Sequence, residues 1–537
     1  DQALDELGIL HTNYRLGAGG EYLAIVDPSG QVVHAYAPQF PPQQQDISYG
    51  LTDSGQEVYF STSTPGADNA AGQINFVGDT KFSVDRGFHD APFDVTISTS
   101  TPGASIRYTL DGTTPSANSG TLYTGPIHID RTTTLRAIAY QAGFVPSNVD
   151  TQTYIFIDDV IQQTFQTTLD AGFPTSWNGT APDYGLDPDV IGPNDLFGGL
   201  YTGLIRDSLL SVPTISIVGD INEIFGSSGI YANPTNHSLE ISVSAELILP
   251  DGEEGFQIDS GLKIQGGAFR SFGLSKKKSL RLKFTAAHGP TKLAYPFFGD
   301  DATDEFDTIT LRMEANDGWQ WSGAGGQPQY ARDEFLRQSM RTLGQPASHG
   351  ERMHVYINGV YWGVYNPVER PDASFASAYF GGEREEWDVQ NSGSAVDGNL
   401  ATWNTLLAMA ADVRDAADAN ARRAAYQKLL GNNPDGSDNP AWETFLDVDN
   451  YIDYLIVNWY GGNSDWPSHN YYLGRRRGPD SNGFVFFMWD AEWTLFMRSN
   501  INTNRLSAVQ GPTIPYDRIK GSEDFKLRFA DRVQKAF

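Results

Sequence analysis

Cysteine is absent from the 537-residue chain, which removes disulfide frameworks, thiolate metal sites and cysteine nucleophiles together. Basic residues are scarce: 37 Lys and Arg stand against 66 Asp and Glu, a formal charge of −29. The lack of a surplus of cations to neutralise phosphates opposes binding to a nucleic-acid backbone, which is not expected as a partner, and the acidic balance suits a basic partner instead. No run of about 18 apolar residues occurs, so no membrane-spanning helix is expected. What the chain does have is length and apolar material. Hydrophobic residues make up 39% and aromatics 12%. Single cores stop growing near ~250–300 residues, so several domains are expected.

Residues 1–80 read as short strands separated by turns. GEYLAIVDPSGQVVHAYAP holds two alternating apolar runs joined by Asp27-Pro28-Ser29-Gly30, a turn whose dihedrals Pro fixes and Gly permits. Residues 83–157 alternate at Val95 and Ile97, then at Ile106, Tyr108 and Leu110, as half-buried strands do. Asp111-Gly112 predicts a hairpin turn there. The stretch 83–157 carries no catalytic constellation. From residue 190 to 537, strand-like runs (LEISVSAELILP, LKIQGG, KSLRLKF, TITLRM, MHVYINGVYWGVYNPVE) mix with helical patterns (ARDEFLRQSMRTLG, TWNTLLAMAADVRDAADANARRAAYQKLLG, VDNYIDYLIVNWYGG). That mixture is α+β.

The third region holds the parts that phosphoryl transfer requires: oxygen ligands for magnesium, a cation on the phosphates, a turn that lets backbone approach them, and a carboxylate for the attacking hydroxyl. The helical run VDNYIDYLIVNWY leads into NSDWPSHNYYLG, which places Asp465 and Asn470 five positions apart. Protein kinases space their catalytic-loop aspartate and metal-binding asparagine in the same way. Asp490 closes the strand-like run FVFFMW and would reach the same pocket. The same side chains could equally serve only to bond loop backbone. Upstream, LKIQGGAFRSFGLSKKKSLRLKF has a turn with Gly266, Gly267 and Gly273 between two strands, suited to turning backbone N–H groups toward phosphate. Alternation puts Lys278 on the face of Leu280, Leu282 and Phe284, where an ammonium needs an anion or must snorkel outward. A phosphate or a helix carboxylate would supply that anion; Asp333 and Glu334 begin such a helix, although acids there also suit its dipole. Lys276, Lys277 and Lys283 are expected in solvent. Asn358-Gly359 signals a type I′ hairpin, and its second strand ends at Glu369, a strand end that could also dock a purine.

Three resemblances follow from these residues. LHTNYRLGAGGEYLAIVDPSG…DISYG…YFSTSTPGADN resembles the second half of a bacterial lamin-tail domain without its opening strands, so the chain is expected either to be a fragment or to have that domain completed by another chain. SIRYTLDGTTPS…LYTGPI…TTLRAIAY is similar to the chitobiase C-terminal type of Ig-like module, a spacer or carbohydrate-proximal unit. GLKIQGGAFR…KKKSLRLKF…ARDEF…VYINGVYWGVYNPVER…NSDWPSHNYY…FMWDAEWTLF resembles the CotH kinase family of atypical protein kinases. The resemblances imply two Ig-like β-sandwich modules (1–80 and 83–157) followed by an α+β atypical kinase-like domain (190–537). They imply ATP and Mg as cofactors and Ser/Thr of a protein, basic or Ser/Thr-rich, as substrate. Carried over by position, Asp465 is the catalytic aspartate, Asn470 and Asp490 are the metal ligands, Lys278 contacts phosphate beside Gly266 and Gly267, and Glu369 lies at the adenine hinge. The sequence departs from many relatives in having Gln265 before Gly266, and Ala-Glu after Asp490. An extracellular or cell-surface bacterial location is expected. The alternative is a catalytically silent adhesive protein that self-assembles or binds a surface partner, with the kinase-like domain as scaffold.

Overall fold

The computed structural model describes residues 20–537 apart from 42, 44–46, 61–63, 65, 66, 70, 71, 320, 322, 324–326, 499–501 and 503. The part of the lamin-tail-like stretch before residue 20 therefore lies outside the described residues. The chain divides into two compact units. One takes residues up to 85 with 92–130 and 135–152; the other takes 86–91, 131–134 and 153–537.

Short alternating runs between turns give the first unit its hairpins. Leu23–Val26 pairs with Val32–Tyr36, and Ser48–Leu51 pairs with Glu57–Phe60, both antiparallel. The turn at Asp27–Gly30 forms as its residues dictate: Asp27 Oδ1 accepts the N–H groups of Ser29 and Gln31 at 2.9 Å, and Gly30 lies at φ +85°. Further along, Thr80–Phe82 pairs with Ile97–Thr99, and Phe93–Val95 with Ile127–Ile129. Ser105–Thr109 pairs with both Thr121–Leu122 and Thr133–Tyr140. Val95, Ile97 and Ile106 are buried, but Leu110 is 47% exposed because its strand stops at Thr109. Asp111-Gly112 closes no two-residue hairpin. Gly112 does take a left-handed φ of +80°, yet the chain continues as a loop and pairs back only at Thr121.

The second unit is built on a closed seven-stranded barrel, in the order Thr214–Val218, Ile241–Ile248, Gln257–Ile264, Leu280–Lys283, Thr308–Arg312, Val360–Glu369 and Met353–Ile357. The last strand meets the first in parallel and every other pairing is antiparallel. Closure leaves the barrel no open edge. Ile217, Leu262, Leu280, Ile309, Leu311, Val355 and Trp362 are buried in one core. At its centre Trp362 packs 5.4 Å from Trp177 and donates from Nε1 to Tyr231 Oη at 3.0 Å. The Asn358-Gly359 turn joins Ile357 to Val360 with φ of +46° and +77°, the two positive values a type I′ hairpin requires.

A four-stranded antiparallel sheet follows, in the order Ser394–Asp397, Trp387–Asn391, Tyr471–Arg476 and Val485–Met488. One face, with Leu473, Phe486 and Met488, packs on the helices Val448–Gly461 and Ala401–Asp415. The other, with Tyr472, Val485 and Phe487, packs on the helix Ala373–Phe380 and on Val368 of the barrel. The long alanine-rich pattern is two helices rather than one. Asp418 interrupts it and caps the second, Ala419–Leu429, by accepting the Ala421 N–H at 2.9 Å. Among the described residues no helix is long and apolar enough to cross a membrane.

Candidate active site

The helix Val448–Gly461 begins at Asp447, whose Oδ1 accepts the Asn450 N–H at 3.0 Å, and ends at Gly462 with φ +61°. Asn450 ties this helix to the neighbouring strand: its Oδ1 accepts the Phe486 N–H at 2.7 Å and its Nδ2 donates to the Phe486 carbonyl at 3.4 Å. A helix end and a strand end are thereby delivered to one place. The loops beyond them are joined as well, since the Ser464 N–H donates to the Trp493 carbonyl at 2.8 Å.

Asp465 lies on the first loop and Asp490 on the second. Asn470 Nδ2 donates to Asp465 Oδ2 at 2.9 Å, so the five-residue spacing does bring these two side chains together. Burial raises the Asp465 carboxyl above its ordinary value and the charge of Asp490 raises it further, which places both carboxylates in one electrostatic environment. Asn470 and Asp490 have φ of +58° and +55°, a left-handed conformation that stores roughly 1–3 kcal/mol per non-glycine residue and clusters at functional sites.

Arg312, at the end of the barrel strand Thr308–Arg312, is the counter-charge. Its Nη2 meets Asp490 Oδ1 at 2.7 Å and also bonds Glu492, while Nη1 lies 3.6 Å from Asp333. Burial is the largest single influence on the Asp490 carboxyl and would raise it, but the Arg312 charge and the hydrogen bonds with Glu492 and Arg312 together hold the group below the ordinary carboxylate range. Glu492 is pushed well up, because burial outweighs the pull of Arg312 and Asp490 adds to the rise. Asp333 is fully enclosed; it accepts the Ala491 N–H at 2.8 Å, which pins the segment between Asp490 and Glu492, and it forms an ion pair with Arg337, whose Nε lies 3.2 Å away. The sequence did not single out Arg312 or Glu492. The available signals were an arginine closing the apolar run TITLR and the acid two places after Asp490.

Lys278 does lie on the buried face with Leu280, Leu282 and Phe284, but no helix carboxylate answers it. Its ammonium donates to the carbonyls of Phe269 (3.1 Å) and Ser275 and sits 4.2 Å from the Phe272 ring centre, and burial pushes its pKa down to about 8. The helix carboxylates go elsewhere: Asp333 to Arg312 and Arg337, Glu334 to Arg337 and Arg341 at 2.8 and 2.6 Å. Lys277 is part-buried rather than in solvent. Its Nζ lies 5.3 Å from the Trp362 ring centre, and burial pushes it down to about 8. Gly266 has φ +103°, and a Cβ added at Gly266 or Gly267 would meet nothing within 4 Å, so the space over this turn is open. Glu369 is buried and committed: it accepts from His349 Nδ1 (2.9 Å), the His349 N–H and Tyr379 Oη (both 2.7 Å), while its own N–H donates to the His349 carbonyl at 3.1 Å.

Among the described residues no three His, Asp or Glu side chains form a ready-made metal cage. The pair Asp465 and Asp490, with the Asn470 amide between donor and acceptor roles, is nonetheless suited to a divalent cation. The charge of Asp490 raises the Asp465 carboxyl, and a cation beside the two would offset that repulsion.

Comparison with family models matches residues 84–151 to the chitobiase/beta-hexosaminidase C-terminal domain. A search of curated proteins returns no match. The model for CotH kinase protein matches residues 262–536, which takes in the last four strands of the barrel, the four-stranded sheet and both loops that carry Asp465 and Asp490. Because that match spans more than half of the 537 residues, the chain belongs to the CotH kinase protein family.

Proposed function

We propose that the CotH domain transfers a phosphoryl group from ATP, with magnesium, to Ser or Thr of a protein, and that the chain is an exported or surface protein of a bacterium. The observation that supports this reading is the hydrogen bond of Asn470 to Asp465 beside a helix end, together with the joined loops through which the charge of Asp490 acts on Asp465. Magnesium and ATP supply the transferable group and the charge that offsets it. Asp465 takes and holds the proton of the acceptor hydroxyl. Asn470 fixes the Asp465 carboxylate from one side, and burial, with the charge of Asp490, raises Asp465 and makes it a stronger base than an exposed aspartate. The Asn470 carbonyl oxygen and Asp490 are the groups that would hold the cation.

The Gly266–Gly267 turn, open above, suits backbone approach to phosphates. Lys278 would reach them only by leaving its two carbonyls. Glu369 contributes by fixing the end of its strand, since its side chain and N–H are already used. The net charge of −29 favours basic segments as substrate.

Asp465→Asn is expected to slow Mg-ATP-dependent phosphorylation of a basic Ser-containing peptide by about 100-fold or more, with the Mg-ATP thermal shift retained. Asp490→Ala is expected to remove the shift as well. A native chain with neither phosphorylation nor a thermal shift would favour the second reading, a silent adhesive scaffold. That reading draws on Asp490 already having a guanidinium partner and Lys278 being held by carbonyls.

A further inference from the structure

We propose that Arg281 and Arg370, at a cleft separate from the Asp465–Asp490 pair, bind the phosphate of a phosphoserine or phosphothreonine in a protein segment. The cleft holds about 940 Å³ between the barrel strand Leu280–Lys283 and the start of the helix Ala373–Phe380, and both arginines line it. Neither Asp465, Asn470 nor Asp490 lines it.

Alternation decides where Arg281 points. Leu280 and Leu282 fill the barrel, so the arginine between them faces outward into the cleft. There its charge is unanswered. Nε is shielded from solvent with no hydrogen-bond partner, and among the described residues no carboxylate lies within ion-pair distance of the group. After the cost of burial, the strongest influence on it is the like charge of Arg370; Tyr472, Asp372 and Glu240 oppose it more weakly and none bonds it. Arg370 is itself held firm, with Nε 3.7 Å from Asp372 and its guanidinium 5.6 Å from the Tyr472 ring centre. Two guanidinium groups that line one cleft and repel each other, one without a counter-ion, are destabilised until an anion joins them.

The shape of the charge selects the anion. Guanidinium forks match phosphate oxygens in pairs, and a phosphorylated hydroxyl carries close to two negative charges to set against two arginines. The rest of the lining mixes signs: Lys292 pairs with Glu305 at 2.8 Å and Arg384 with Asp307 at 2.7 Å, while Glu383 and Glu385 add negative charge that accommodates basic residues flanking the phosphate. A basic protein segment already phosphorylated once satisfies base and rim together. This substrate class rests on the phosphoryl-transfer reading, because such segments would be its products and its next substrates.

The test is equilibrium binding to the full chain, without Mg or ATP, of a fluorescent basic peptide carrying one phosphoserine, its unphosphorylated twin, and inorganic phosphate as competitor. The phosphopeptide is expected to bind at least tenfold more tightly than its twin. Arg281→Met is expected to abolish that preference and Arg281→Lys to restore part of it, with melting temperatures recorded for each. Should Arg281→Met fail to fold, Arg370→Lys serves in its place and is expected to reduce the preference. Equal affinity for the two peptides overturns the proposal, as does a preference untouched by Arg281→Met or Arg370→Lys. Competition by inorganic phosphate with no phosphopeptide preference means a free-anion site and also overturns it. Binding needs no turnover, so a silent catalytic centre would leave this outcome intact.

Discussion

Asp372 shows how much one buried carboxyl can report. It caps the helix Ala373–Phe380 by accepting the N–H groups of Ser374 and Phe375 at 3.2 and 3.4 Å, and it lies beside Arg370. Burial nevertheless pushes its pKa from 3.8 up to about 6. The folded state therefore holds this proton more tightly than the unfolded state. Its stabilising contribution is complete below about pH 4 and is lost as pH rises through about 6, worth about 3 kcal/mol in all. Asp372→Asn keeps a competent cap and removes the titration. Urea midpoints of the two proteins, measured from pH 4 to 7, are expected to diverge in favour of the variant as pH rises; parallel profiles would refute the assignment. At this scale the sequence was informative about type and spacing. Asp465 and Asn470 met because five loop residues can turn both inward. The partners of Lys278 were not legible, because the helix acids are taken by arginines, Asp333 by Arg312 and Arg337 and Glu334 by Arg337 and Arg341, and the lysine is left to backbone carbonyls.

Elements explain why the two loops coincide. The helix Val448–Gly461 and the strand Val485–Met488 are locked by Asn450, which is fully buried and bonds both backbone groups of Phe486. Asn450→Ala leaves a buried N–H and carbonyl short of partners, a loss of about 1–3 kcal/mol, measurable by chemical denaturation. It is also expected to slow phosphoryl transfer more than a surface substitution of equal cost in stability, because it frees Asp490 from Asp465. Equal effects at equal stability would show that Asn450 does not position the site. The periodicity of VDNYIDYLIVNWYGG predicts this helix and the glycine stop at its end. The alanine-rich run was misleading because alanine favours helix through any register; the capping aspartate decided the break at Asp418. Asp111-Gly112 failed as a hairpin for a related reason: Gly112 took the conformation its type permits, but strand pairing set where the chain returned.

For the whole molecule the decisive feature is the closed barrel. Its core is aromatic, with Trp362 among Trp177, Phe225 and Tyr231 at ring distances of 5.4 to 5.6 Å. Trp362→Ala is expected to cost about 3–5 kcal/mol through lost transfer energy and the cavity left behind. The same change leaves the hydroxyl of Tyr231 without its donor. A loss below about 1 kcal/mol in urea unfolding would mean that the aromatic cluster is not what holds the barrel shut. By itself the sequence determined the local elements, the excluded chemistries and the residues able to carry phosphoryl transfer, because these follow from periodicity, turn chemistry and side-chain type. Only the tertiary structure decided that seven strands close, that Arg312 stands between three acids, and that Arg281 is left without one. Those outcomes depend on which strands become neighbours, and strand partners far apart in the chain leave no spacing for the sequence to show.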